Sequence, residues 1–436
     1  MTWLQRYRVR FYVRNSIWIF PALGMAAALA LVRLLHWIEG EMGWVSDISP
    51  ETARTVLGTM AASMFTFVVF VSSALLIAVQ LASAQLTPRV IAFVFRDPIT
   101  RWSLTLFVFT FTFCLATLIG IINSVPPLTA YMASYGSAVS LGVFLYLIDH
   151  IGHRVRPSGA LRSVARLGRE VIEKAYPRML TEPRPALSET TNDWGGKLTR
   201  TIGSPWHGVI LAFDVEGLVS LARRADCVIE LVPQVGDSIA ASDPLFRVFG
   251  EGASLSADAL CQSIALGAER TLEQDPVFAF RILVDIASKG LSPGINDPTT
   301  AVLALDQIHH LLRNVGSRCL DDERVRDAAG QVRLVYRTPD WEDFVHLAVT
   351  EIRHFGGESI QIARRLRAML ENLIQTLPEA RIPLLRQELH LLHKSAQRFF
   401  LEPEDRALAD VSDFQGVGGK DWHSHADRKG EKVSSS

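Results

Sequence analysis

TMAASMFTFVVFVSSALLIAVQLASAQ, residues 59–85, decides how the rest of the chain is read. It carries no charged residue, and about 20 apolar residues at 1.5 Å rise cross the roughly 30 Å hydrocarbon core of a bilayer. Thr59, Ser63, Thr66, Ser73 and Gln80 recur at spacings of three, four and seven. On a 3.6-residue helix that gathers them within an arc of about 100°. Phe70 and Ile77 fall inside the same arc, while Ser72 and Ser83 fall outside it. Phe65, Phe67, Val68, Val71, Leu75 and Leu76 cover the other faces. A helix with lipid all round has no use for hydroxyls and an amide gathered on one side, so the pattern predicts one greasy face and one that meets protein or water.

The 436 residues are 49% hydrophobic with a mean hydropathy of +0.20, and the apolar excess sits in the first third. That asymmetry predicts a membrane part followed by a soluble part. Four apolar segments can be drawn, at 16–37, 56–81, 104–122 and 128–147. Ala28-Leu29-Ala30 mimics a signal-peptidase site, but the apolar run continues through Leu34, Leu35 and Ile38, so a retained helix is expected. A formal net charge of −1 gives no basic field for nucleic acid. Cys114, Cys227, Cys261 and Cys319 form no ligand spacing and read as reduced residues, not as a disulfide frame.

Arginine placement sets the expected orientation. Arg6, Arg8, Arg10 and Arg14 precede the first segment; Arg89, Arg96 and Arg101 stand between the second and third; Arg154, Arg156 and Arg162 follow the fourth. The connection after the first segment instead carries Glu39, Glu41, Asp47 and Glu51 against Arg54. All three basic regions fall on one side, which the positive-inside rule makes cytoplasmic, with both termini there. Ser49-Pro50-Glu51 reads as an N-cap, a first-turn proline and an acid on the positive end of the second span. No Asp, Glu, Lys or His stands at the middle of a segment, which disfavours a proton pump or ion-coupled carrier and leaves a passive pore open. In a pore, several copies would place the arc around an axis and Phe70 with Ile77 would gate it by dewetting. The same small polar side chains also serve plain helix packing.

Beyond the spans, 157–175 reads as an amphipathic helix with Leu161, Val164, Leu167, Val171 and Ile172 on one face, suited to packing under the membrane helices or to lying on anionic headgroups. Residues 181–201 read as a linker. A small α/β unit follows: a strand at 208–214, a helix in VEGLVSLARR, a strand at 227–232, then PQVGDSIAASDP as a turn-rich hairpin closing on LFRVFG. This hairpin resembles those of lipoyl-like domains. Its tip, however, has Ala240, Ala241 and Ser242 where a carrier needs a lysine, so no biotin or lipoyl carrier is expected.

From 256 the chain reads as mainly helical. Asp275-Pro276 opens a helix that stops at Gly290, and Asp297-Pro298 opens another that stops at Gly316. Asp supplies the N-cap acceptor, Pro needs no donor at the first position, and Gly allows the exit. The Pro293-Gly294 turn brings Asn296 and Asp297 beside the end of the first helix. Arg270, Glu273, Asp275, Asn296 and Asp297 form a dense set of hydrogen-bonding groups near two helix N-termini, which attract anions, and they are the candidates for a ligand or ion site. Caps and a turn would account for the same residues. Helices at 340–353, 359–375 and 379–399 carry leucine stripes suited to a bundle or an oligomer contact, Arg364, Arg365 and Arg367 read as a solvated face or alternatively as one that meets the membrane or an acidic neighbour, and the tail from 412 reads as disordered.

LSPGINDPTTA at 291–301, RTLEQDP at 270–276, QLASAQLTPR at 80–89 and YRTPDWEDF at 336–344 together resemble a bacterial family described as predicted membrane proteins of unknown function. The resemblance runs to about Phe400 and is most specific in SPGINDP. It implies an inner-membrane protein with a cytoplasmic domain, and it carries location and architecture, not chemistry. Among its motif residues here are Arg270, Asp275, Asn296 and Asp297.

No GxSxG, GxxxxGK, HExxH or paired CxxC motif occurs. His150/His153 and His390/His393 have helical spacing, with Asp149 and Glu388 close by, but no fuller ligand cluster, so neither a metal nor a cofactor is expected. The chain therefore divides into a basic N-terminus at 1–15, a four-helix transmembrane domain at 16–149, a helix and linker at 150–200, an α/β hairpin unit at 201–255, a helical domain at 256–411 and a tail at 412–436. The leading expectation is a homo-oligomeric channel or transport-like assembly in the inner membrane, with a cytoplasmic domain that senses a ligand or ions. The rival is a membrane-anchored scaffold or signalling module without a pore. An enzyme built on Arg270, Asp275, Asn296 and Asp297 lacks a nucleophile or metal set.

Overall fold

The computed structural model describes residues 2–42, 44, 48–90, 97–121, 125–154, 156–180, 197–320 and 324–419. The expectations for Asp47, Arg96, the linker over 181–196 and the tail over 420–436 lie outside the described residues, as do the side chains of His153 and Arg154. The chain forms two compact units, one of Val9–Ala160 and one of Met1–Arg8 with Leu161–Ser436. Helix α1 (Trp3–Asn15) has its first turns in the second unit and its remainder in the first.

The first unit holds four helices long and apolar enough to cross a membrane: α2 (Ile19–Met42), α3 (Pro50–Gln85), α4 (Pro98–Gly120) and α5 (Pro127–Arg154). Each of the four covers most of one expected segment, with residues 16–18 and 121 outside the helices and residue 122 outside the described residues. The 36 residues of α3 reach about 54 Å, well beyond a bilayer core. The Ser49 hydroxyl accepts the Thr52 amide at 3.2 Å and so caps α3 where the sequence indicated.

The hub of this unit is α4, not α3. Helices α2, α3 and α5 all pack on α4, which buries Phe107, Thr110, Phe113, Cys114 and Thr117. Gly24 allows the α2 backbone close to α4, since a Cβ there would stand 2.9 Å from Thr105 Cγ2. Thr110 and Ser140 share a hydrogen bond at 3.1 Å across α4 and α5. The face that α3 turns inward is Ala53, Leu57, Ala61, Met64, Val71, Leu75 and Ala78, a helical stripe that mixes small and large apolar side chains.

Charges at the helix ends are absorbed by neighbouring helices. The buried Glu39 of α2 accepts the backbone amides of Leu128 at 2.6 Å and Thr129 at 3.2 Å, capping the start of α5. Arg54 of α3 donates to the Ile121 carbonyl at 2.8 Å, where α4 ends. Each charge is opposite in sign to the dipole end it meets, which is the stabilising arrangement. At the opposite end, Asp97 caps α4 by accepting from the Thr100 amide and hydroxyl, and His150 Nε2 of α5 stands 2.9 Å from the same carboxylate. His150 is thus an inter-helix partner.

After the start of α1, the second unit continues with α6 (Pro157–Ala175) from Leu161 onward, which buries Leu161, Val164, Ala165, Gly168, Val171 and Ile172. Next come β1 (Leu198–Gly203), β2 (Gly208–Phe213), α7 (Val215–Arg224), β3 (Cys227–Leu231), β4 (Ser238–Ile239), β5 (Pro244–Gly250), α8 (Ala257–Cys261) and β6 (Ile264–Gly267). After these stand α9 (Pro276–Gly290), α10 (Pro298–Gly316), β7 (Arg324–Arg326), β8 (Val332–Tyr336), α11 (Trp341–Phe355), α12 (Ile360–Thr376), α13 (Ile382–Phe399) and α14 (Pro403–Ala409). One sheet has the order β1-β5-β3-β8-β7, with only β3 and β8 parallel, and the other has the order β4-β2-β6. Ile210, Phe213, Leu218, Ile229, Leu231, Phe246, Val248 and Leu334 share one core. Trp3, Leu4 and Tyr7 of α1 pack on Val209, Leu211, Ala212 and Ala265 of the smaller sheet.

Several expectations are corrected. Strand β1 starts at Leu198, inside the stretch read as linker. PQVGDSIAASDP does join two paired strands, since β3 and β5 run antiparallel as the hairpin reading expects, but it also carries the short β4, which pairs with β2 of the other sheet. The Asp237 and Asp243 carboxylates tie down the tight turns by accepting the Gln234 and Ala240 amides. The region from 256 also contributes strands β6 to β8. Helix α6 packs within this unit, where a Cβ on Gly168 would lie 2.5 Å from Ala279 Cβ of α9. Arg364 and Arg365 are buried, not solvated. Arg364 donates to the carbonyls of Val411, Gly418 and Gly419, Arg365 pairs with Asp306, and Arg367 pairs with Asp410. Residues 412–419 are accordingly folded onto α12, with Asp413 accepting the amides of Gln415, Gly416 and Gly418.

Candidate functional site

Asp275 caps α9 by accepting the Phe278 amide at 3.1 Å, and Pro276 takes the first helical position. The same carboxylate receives Arg270 Nε and Nη2, both at 2.8 Å. The Arg270 guanidinium also lies 5.7 Å from the centre of the Phe278 ring. Burial raises the Asp275 pKa above the ordinary carboxylate range, while Arg270 and the helix amides pull it back. Gly236 presses its backbone on this pair: its φ is +95°, and a Cβ there would sit 2.2 Å from Arg270 Nη2. The turn before β4 is therefore fitted to the ion pair.

Asn296 and Asp297 belong elsewhere. Asp297 caps α10 through the Thr300 amide at 3.0 Å, and its own amide donates to the Gly290 carbonyl at 2.7 Å. Asn296 has a φ of +48° and donates its amide to Ser292 O, which closes the SPGINDP turn. Gly290 is the last residue of α9 and Asp275 precedes its first, so the 15 residues of α9 hold the two clusters about 22 Å apart. The five candidates do not form one site.

A cleft of about 300 Å³ does form, where RTLEQDP meets YRTPD. Phe213 and Tyr336 stand edge to face along it, with ring centroids 5.0 Å apart. Its walls are fixed by specific bonds. Gln274 clasps the end of β2, accepting the Phe213 amide at 3.1 Å and donating to its carbonyl at 3.3 Å. The buried Tyr176 hydroxyl donates to the Pro339 carbonyl at 3.0 Å, and burial pushes that phenol well above its usual pKa. Glu273 lines the cleft, as do Lys174 and Arg337. Of the five candidates, only Glu273 lines it. Lys174, Tyr176, Gln274 and Arg337 escaped sequence reasoning, although the YRTPD motif that brings Arg337 here was visible.

In the first unit the whole arc of Thr59, Ser63, Thr66, Phe70, Ser73, Ile77 and Gln80 faces away from the packed core of its own chain. Phe70 is 49% exposed and Ile77 63%, so neither is a core residue. Thr59, Ser63 and Thr66 donate to the carbonyls four residues back. Thr59 and Ser63 also line a groove of about 540 Å³ with Ser134 and Ser137 of α5. Among the described residues no three His, Cys, Asp or Glu side chains are grouped to share a metal ion.

A family model described as Predicted membrane protein (DUF2254) matches residues 14–372, a span that includes the arc, both cleft motifs and the SPGINDP turn. Uncharacterized protein Mb1321c of Mycobacterium bovis and Uncharacterized protein Rv1290c of Mycobacterium tuberculosis are each 26% identical over 423 residues. Each alignment covers 93% of this chain and 80% of the relative. No solved structure matches the chain.

Proposed function

The chain belongs to the DUF2254 family of predicted membrane proteins, and on that premise we propose that it forms a homo-oligomeric channel or transport-like assembly in the bacterial cytoplasmic membrane. The second unit serves as its cytoplasmic sensing domain. The observation that carries this reading is the state of Ser73 and Gln80. Both are exposed, seven residues apart on one side of α3, and neither side chain has a hydrogen-bond partner among the described residues. An amide left unsatisfied in hydrocarbon costs several kcal/mol, so these groups face water or another copy. The distribution of arginines supports termini on the cytoplasmic side.

The tethered-module reading draws on Thr59, Ser63 and Thr66, whose hydroxyls are satisfied within α3 and so tolerate lipid. Thiol labelling separates the two. In cell membranes, Ser73→Cys and Gln80→Cys react with a membrane-impermeant maleimide if they line a wet path, while Leu76→Cys, outside the arc, stays unlabelled. The unsubstituted chain is the blank, and burial raises the pKa of Cys227 to about 11 and keeps that thiol protonated. Silence at both positions, with the protein correctly inserted, overturns the pore.

A further inference from the structure

We infer that the cleft between RTLEQDP and YRTPD binds a small organic anion, a carboxylate or phosphate carried on a flat apolar body. The inference rests on the sensing role proposed for the second unit and names the chemistry that unit would sense. Three features of the cleft point to this class.

The first is charge. Lys174 at the end of α6 and Arg337 just after β8 line the same cavity, are exposed, and have no ion-pair or hydrogen-bond partner among the described residues. Among the described residues that line the cavity Glu273 is the one carboxylate, so cations prevail among them. Elsewhere in this unit, arginines withdrawn from solvent are engaged: the half-buried Arg270 with Asp275 and Arg281 with Asp285 and Glu351, and the buried Arg333 with Asp226 and Asp327. The second is shape. Phe213 and Tyr336 present ring surface to the cavity, which suits the apolar part of a ligand, and about 300 Å³ is near the lower bound of ligand sites. The third is rigidity. The Gln274 clasp on β2 and the Tyr176 bond to Pro339 hold the walls apart before any ligand arrives, which removes an ordering penalty from binding.

The test is calorimetric titration of the intact, detergent-solubilised chain with four probes. Benzoate and phenyl phosphate carry both parts of the ligand, inorganic phosphate carries the charge alone, and benzyl alcohol carries the ring alone. At least one of the first two binds about tenfold or more tighter than either single-feature probe, and Lys174→Ala and Arg337→Ala each weaken that binding by about tenfold. Which of benzoate and phenyl phosphate prevails assigns the headgroup. Both cations are solvent-facing and unpartnered, so the variants retain the wild-type heat-denaturation profile, and Arg337→Lys restores part of the affinity. Equal binding of benzyl alcohol, indifference to both substitutions, or no binding of benzoate and phenyl phosphate at millimolar concentration overturns the inference. No flux or assembly is needed for this readout, so a pore that fails thiol labelling leaves it standing, and a labelled pore does not rescue it.

Discussion

His309 on α10 is held neutral by its surroundings. Its Nε2 stands 2.9 Å from Asn372 Oδ1, and Arg365 Nη2 lies 3.4 Å from Nδ1. Burial and the Arg365 charge lower its pKa from 6.5 to about 4. The unfolded chain therefore binds the extra proton first. The contribution to stability is complete above pH 6.5 and is lost as pH falls towards 4, at a size on the order of 1–3 kcal/mol. Heat-denaturation midpoints at pH 7 and pH 4.5 should differ more for the native chain than for His309→Gln. An identical acid response of the two would refute the assignment. Nothing in the local sequence announces this histidine. Its partners come from α12, more than fifty positions later, and residues so distant become neighbours only once helices pack.

At the scale of elements, the punctuated parts of the chain were readable and the cross-braced parts were not. Asp275-Pro276 and Asp297-Pro298 fix helix starts by purely local chemistry, and α9 and α10 begin where those pairs stand. VRLVY at β8 became a strand through its parallel partner β3 and through Arg333, which Asp226 and Asp327 hold at 2.8 Å each. Neither brace has a spacing to read. The candidate site shows the same limit: residues 22 positions apart, such as Asp275 and Asp297, looked like neighbours until the length of α9 intervened. Glu39 appeared only as a loop charge, yet it closes the start of α5. Glu39→Ala leaves two amides without that acceptor and should cost about 1–3 kcal/mol, while Glu39→Gln, which keeps one amide oxygen, should cost less. Stepwise unfolding of the purified chain in SDS measures the order. Equal loss for both variants would mean that the charge, not the acceptor, matters.

At the scale of the whole molecule, both units were foreshadowed by hydropathy, but the break between them does not follow chain order. The first eight residues are counted with the second unit, although they precede every apolar span. A protein cut to begin at Leu161 would therefore lack Trp3, Leu4 and Tyr7, and it would bare Leu211, Ala212 and Ala265 on the smaller sheet. Such a fragment should self-associate, and adding a peptide of residues 1–8 should return it to a single species in light scattering. A monodisperse fragment without the peptide would count against this.

The Arg364 guanidinium, grasped by carbonyls of residues 411, 418 and 419, makes that segment a latch on α12. During synthesis α12 leaves the ribosome with its arginine already placed for a buried role, and the three oxygens it needs follow more than forty codons later. The helical layer around α12 can reach its final form only after residue 419 has been made, so nonsense mutations just upstream of codon 411 should be as harmful as lesions in the interior.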